Sequence, residues 1–165
     1  MYSVQLGFDA AVKRVESLLK ASYNSEALVT SVFTAEKTLR RTLKQLIVSA
    51  GFISRHATEI SGNIRGLRDI GRHWQLYDPE HRTLVVLLGN PDWQVFTEAA
   101  KMRNDMIHGA SVYPSAMCIQ QTKAVLAALR RAKKKFDDEY GYSGWTSNSI
   151  RKKSALHGDP RIKKT

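Results

Sequence analysis

Two long runs of this chain place an apolar or small residue at alternating steps of four and three, and an α-helix brings such positions onto one side. The first reads Leu28, Val32, Ala35, Leu39, Leu43, Leu46, Ala50; the second reads Cys118, Thr122, Val125, Leu129, Ala132, Phe136. A stripe of that length must be covered, and a long helix is most economically covered by other helices lying alongside it. The predicted fold class is therefore all-α: an antiparallel helical bundle of about four main helices, with short helices in residues 52–90 and a basic C-terminal tail.

The other elements follow from local signals. Asp9 to Ala21 reads as a first amphipathic helix, with Val12, Val15, Leu18 and Leu19 on one side. Asn24 and Ser25 are capping residue types, and Glu26 suits a first helical turn, so the second helix is expected to start there and to run to about Ala50, before Gly51. Gly62, Gly66 and Gly71 interrupt the segment that follows, where short helices are expected near Phe52–Ser61 and Glu80–Leu88. Asp78-Pro79 reads as a turn or helix start, and Val85-Val86-Leu87-Leu88 as helix, since one short strand has no partner. Asn90-Pro91 marks a helix start and Gly109 a stop, giving a helix over Asp92–His108. Pro114 and Ser115 open the last helix, to about Tyr140. Residues 1–140 are thus expected to form one helical domain, and residues 141–165, rich in Ser, Gly, Lys and Arg, a disordered basic tail.

At 165 residues the chain is long enough to bury a real core. Its formal charge is +11; residues 141–165 hold six Lys or Arg and one Asp, a charge of +5, and the remaining +6 lies in residues 1–140. The body itself should therefore attract polyanions, although basic charge also serves solubility. Cys118 is the only cysteine, so no intrachain disulfide is possible, as befits a reducing compartment. No apolar run reaches a membrane span and no signal-peptide layout opens the chain, so a soluble cytoplasmic protein with no membrane partner is expected.

Six residues carry chemistry: Arg103-Asn104-Asp105-Met106-Ile107-His108. At 100° per residue, Phe96, Ala99, Ala100, Arg103, Met106 and Ile107 share a face, so Arg103 occupies a core-like position. A cation there is costly unless it is paired or faces a cleft or interface. Asn104 and His108, four apart, stack beside it. Histidine, with an unperturbed pKa of about 6.5, moves protons near neutrality. Arginine keeps its charge and offers a fork matched to phosphate oxygens. The bland reading is a snorkelling Arg103 and a His108 that serves a helix C-terminus.

The motif Arg-Asn-x-x-x-His near a helix end, with Ala35-Glu36-Lys37-Thr38-Leu39-Arg40 on an earlier helix and an amphipathic helix after a short turn, resembles the HEPN superfamily (higher eukaryotes and prokaryotes nucleotide-binding). The resemblance spans roughly residues 8–140. It implies a metal-independent endoribonuclease without cofactor, a toxin of a toxin–antitoxin pair or a phage-defence effector, working as a homodimer on RNA. It assigns His108 as acid and base, Arg103 as phosphate holder and Asn104 as an orienting group. The implied chemistry is attack by a 2′-hydroxyl on the adjacent phosphate. An antitoxin protein is then a candidate partner. The family's alternative is a non-catalytic module that binds RNA or nucleotide, or serves as an interaction domain. Some HEPN toxins carry a modifiable tyrosine two positions after the histidine; here that position is Ala110, with Tyr113 off-register, so control by that route is not expected.

Around this motif, Glu36 can pair with Arg103 and orient it, or remain a solvated charge. Arg40, Arg41 and Lys101 are candidate RNA contacts. The run Arg130, Arg131, Lys133, Lys134, Lys135 is followed by Asp137, Asp138 and Glu139, which reads as a self-neutralising face. Trp145, among basic residues, is a candidate for stacking on a base. His56, His73, His81 and His157 lack metal-ligand spacing, so no metal site is expected. A third, weaker reading is a DNA-associated helical protein led by the tail.

Overall fold

The computed structural model describes residues 7–146 and 151–156. Among them are seven helices and no strand: α1 Phe8–Lys20, α2 Asn24–Ser49, α3 Ser54–Asn63, α4 Gly66–Tyr77, α5 Leu84–Leu88, α6 Asn90–Ile107 and α7 Ser115–Tyr140. The protein is all-α, as its periodicity predicts. The helices α1, α2, α6 and α7 are the long elements read from the sequence, with ends shifted by two residues at most. No helix among the described residues is long and apolar enough to cross a membrane.

The centre of the fold is α2, which packs against α1, α3, α4, α6 and α7. Its apolar stripe from Leu28 to Leu46 is buried, while Ala50 ends up exposed at the C-cap. A second column, Thr30, Thr34, Thr38 and Thr42, is buried as well. The hydroxyls of Thr34, Thr38 and Thr42 each donate to the carbonyl four residues earlier, at 2.8 Å. Threonine can be buried here because its donor is satisfied within its own helix.

Part of what covers this column is the segment expected to be a disordered tail. Gly141 ends α7 in the left-handed conformation, and Tyr142, Ser143 and Gly144 are buried. Gly144, at φ +82°, lies directly on α2: a Cβ there would stand 2.8 Å from the Arg41 Cβ and 3.0 Å from the Thr38 carbonyl oxygen. The Trp145 indole donates to the Thr38 hydroxyl at 2.9 Å, meets the Phe8 ring edge-on and carries the Lys37 ammonium over its face. Base stacking by Trp145 is thus replaced by an internal role. Residues 151–156 also pack back: the Ser54 amide donates to the Arg151 carbonyl at 3.1 Å and the Ala155 amide to the Gly51 carbonyl at 2.9 Å. Residues 147–150 and 157–165 lie outside the described residues, and with them His157 and the last basic residues of the tail.

The segment 52–90 holds a helix that its glycines hid. Gly66 and Gly71 were expected to interrupt, yet α4 starts at the first and runs through the second. Gly71 is a seat for Trp93 of α6, because a Cβ there would come within 2.9 Å of the indole ring. Glycine's helix cost of about 1 kcal/mol is offset by that packing. Asn24 and Ser25 do not cap α2 through their side chains; Tyr23 is the N-cap, and the Asn24 Oδ1 is buried without a hydrogen bond among the described residues. At α6 the N-cap is Gly89 rather than Asn90, with Pro91 in the first turn as expected.

Asp78 closes α4 and anchors the far side of the core. Its side chain is fully buried and accepts from the Arg82 guanidinium, the Tyr140 hydroxyl and the amides of Glu80 and Arg82. The Tyr140 hydroxyl in turn accepts from the Trp74 indole, which stacks on Phe136 at 5.1 Å. Burial alone would raise the Asp78 carboxyl, but the Arg82 and Tyr140 hydrogen bonds outweigh it and hold the group at about 2.

A carboxyl depressed below its unfolded value near 3.8 stabilises the fold above that value and loses its effect as pH falls toward 2. The part of the stability that this shift supplies is about 2 kcal/mol. Asp78→Asn should lower the unfolding free energy by about 3 kcal/mol at pH 7 in urea denaturation, and its deficit relative to the native chain should narrow between pH 4 and 2. Gly144→Ala should cost about 1–3 kcal/mol and speed amide hydrogen exchange over residues 142–145, with exchange in the interior of α7 unchanged.

Candidate functional site

The face of α6 that carries Phe96, Ala99 and Ala100 is buried against the core, and Arg103 is the next residue along it. Beyond Arg103 the helix runs out of core: Met106 is half-buried and Ile107 is 61% exposed. Arg103 therefore closes the buried stripe rather than sitting within it, with a side chain 17% exposed. Glu36 of α2, at 16%, faces it.

The two are joined as fork to fork. Nη1 of Arg103 donates to Oε2 of Glu36 at 2.9 Å, and Nη2 donates to Oε1 at 3.1 Å. On its other edge the guanidinium donates from Nε and Nη2 to Oδ1 of Asn104, at 3.1 and 3.0 Å. Four of five N–H donors are thus engaged. A bidentate pair fixes the plane of the guanidinium as well as its position. The paired reading of Glu36 is the one found.

Asp105, which the sequence reading left without a role, ties down the loop that follows. Its carbonyl accepts from the Ala110 amide at 2.8 Å, and its carboxylate accepts from the Tyr113 hydroxyl at 2.7 Å and from Lys101 at 3.4 Å. The Tyr113 hydroxyl and the Lys101 ammonium hold the Asp105 carboxyl below its usual range, and Asp105 pushes the Tyr113 phenol up. No local pattern marks this pair; the chain reversal after α6, with Gly109 at φ +68°, brings Tyr113 back to Asp105.

His108 is the C-cap of α6. Its amide donates to the Asn104 carbonyl at 3.0 Å, and its imidazole is exposed with no side-chain partner among the described residues. Ile107 beside it in the chain, Val112 (97% exposed) in the loop that follows and Met117 in the first turn of α7 are exposed apolar side chains.

Glu36, Arg103, Asn104 and Lys101 line a cavity of about 740 Å³, whose opposite wall is the start of α4 with Arg65 and Arg68. His108 is outside that lining. Of the other expected contacts, Arg40 is used internally: its Nη1 donates to the Ser61 and Ile64 carbonyls at 2.6 and 2.5 Å, joining α2 to the turn between α3 and α4. Arg41 lies under Gly144, on another side of α2. The basic run on α7 is neutralised as expected. Lys133, Lys134 and Lys135 pair with Asp137, Asp138 and Glu139, while Arg130 and Arg131 reach Glu16 and Asp92. Among the described residues no three His, Cys, Asp or Glu side chains gather as a metal-holding group.

A double-mutant cycle on Glu36→Ala and Arg103→Ala should return a coupling of about 1 kcal/mol in urea denaturation; additive losses would mean that the pair contributes nothing beyond its separate side chains. Comparison of the chain with protein-family models, with curated proteins and with solved structures finds no match.

Proposed function

We propose that the chain is a metal-independent endoribonuclease of HEPN type, a toxin or phage-defence effector that acts as a homodimer. The observation that carries this reading is the Arg103 guanidinium, fixed by Glu36 at the edge of a cavity, with an exposed His108 imidazole, unpartnered among the described residues, at the end of the same helix.

The hydrogen bonds indicate how a phosphate would enter. Glu36 holds the Nη1/Nη2 end of the fork, and the exposed Asn104 occupies the Nε/Nη2 edge. Asn104 is the group that phosphate oxygens displace, while Glu36 keeps the guanidinium in place. His108 takes the proton of the 2′-hydroxyl as its oxygen attacks phosphorus. The bond from phosphorus to the 5′-oxygen breaks, and His108 of the partner subunit gives that oxygen its proton. The products are a 2′,3′-cyclic phosphate and a 5′-hydroxyl. Arg103 stabilises the charge that builds on the non-bridging oxygens. The exposed apolar side chains of Ile107, Val112 and Met117, within ten residues of His108 in the chain, favour a second copy at the end of α6 and the start of α7.

The position of His108 outside the cavity lining favours a second reading, a non-catalytic module that binds RNA or nucleotide. Expression in cells separates the two: growth arrest by the native chain, relieved by Arg103→Ala and by His108→Ala, belongs only to the nuclease. In vitro, His108→Ala should reduce RNA cleavage at least a thousandfold with the helical content and oligomeric state unchanged, and EDTA should leave the native rate intact. Undiminished cleavage by His108→Ala would overturn the mechanism.

A further inference from the structure

The cavity beside Arg103 holds charges that the cleavage chemistry does not use. Four cations line it: Arg65 and Arg68 from the start of α4, and Lys101 and Arg103 from α6. Four carboxylates line it too, but three of them are taken. Glu36 is held by Arg103, Asp105 by Tyr113 and Lys101, and Asp69 lies 3.7 Å from Arg72. Arg65 and Arg68 are exposed and make no hydrogen bond or ion pair among the described residues. Glu98 is the remaining carboxylate, exposed and likewise unpartnered among them.

The backbone that carries these two arginines is anchored to α2. Arg40 of α2 fixes the Ser61 and Ile64 carbonyls, and so fixes where α4 begins. Gly66, at φ +68°, makes the turn between Arg65 and the helix, and a Cβ there would meet nothing within 4 Å. The wall is therefore open at the point where the two arginines flank it. The two guanidiniums without a partner among the described residues suit a phosphate, and the Glu98 carboxylate suits a sugar hydroxyl or base amino group.

We infer that Arg65 and Arg68, with Lys101, form a second phosphate subsite for single-stranded RNA, holding a phosphate that flanks the one at Arg103. The inference rests on the ribonuclease reading for the role of Arg103, but its own content is a binding site. Arg103 supplies one phosphate contact per strand, and Arg65 and Arg68 supply the second, which fixes the strand in the cavity. Phosphate contacts of this kind are independent of base sequence and sensitive to salt.

The test uses the full chain and a fluorescent single-stranded RNA hexanucleotide with 2′-O-methyl sugars, which 2′-hydroxyl attack cannot cleave. Binding is read by anisotropy across a salt series. The double variant Arg65→Gln/Arg68→Gln should bind about tenfold or more weakly with a salt slope reduced by about one to two, whereas Lys13→Gln/Lys20→Gln, an equal loss of charge on exposed positions of α1 outside the cavity lining, should bind like the native chain. Because both arginines are exposed and without a partner among the described residues, the double variant should keep its melting temperature; the single Arg68→Gln variant, with about half the loss in log affinity, provides the same reading if it does not. Equal binding by the native chain and the double variant overturns the subsite, as does failure of the native chain to bind the hexanucleotide at low salt. Binding that depends on Arg65 and Arg68, in a native chain that leaves the unmodified RNA uncut, supports the subsite and removes the nuclease.

Discussion

Glu36 and Arg40 sit one helical turn apart on α2, and the geometry of the candidate site depends on them. Glu36 reaches α6 and fixes the plane of the Arg103 guanidinium. Arg40 reaches the turn between α3 and α4 and fixes the point where α4 begins, and with it the positions of Arg65 and Arg68. Both walls of the cavity are thus referenced to one rigid rod. Neither contact is a surface ion pair of negligible worth, since each is partly buried and has directed hydrogen bonds. A helix enclosed by five others can hold such a reference, because it has little freedom to rotate or slide without opening the core.

That enclosure has a requirement of its own. A helix covered on several sides must either be apolar all round or satisfy its polar groups internally. The threonine column of α2 takes the second route, returning hydroxyl protons to its own backbone. The segment around Gly144 then lies on the column at backbone distance, and the Trp145 indole uses the second valence of the Thr38 hydroxyl. The end of α7 is held to the Asp78 cluster at one edge, through Tyr140, and continues into this strap at the other. The acidic end of α7 pairs with its own lysines, and among the described residues Arg65 and Arg68 are the cavity-lining cations without a partner.

Much of the fold was legible from periodicity. The stripes that begin at Leu28 and Cys118 gave α2 and α7, and the stop at Gly109 gave the end of α6. Gly71 shows where such reading ends, because its reason is an indole from another helix, which no local signal announces. Asn24 shows the converse: a good capping residue type is not a cap when the chain enters the helix one residue earlier. The basic composition after residue 140 points to disorder, since composition counts charges and does not register that Tyr142 is buried and that Trp145 has partners on α2 and α1.

By itself the sequence determined an all-α chain, the order of its long helices, and an Arg103 on a core-facing stripe that needed a partner. These are properties of helical repeat and of the cost of burying a charge, and both are local. Only the tertiary structure decided that the partner is Glu36, that Arg40 ties α2 to the Ser61 and Ile64 carbonyls, that His108 stands outside the cavity lining, and that Arg65 and Arg68 stand in it. Such facts depend on which helices meet and at what height, and that is fixed by packing across dozens of residues of separation rather than by any pattern along the chain.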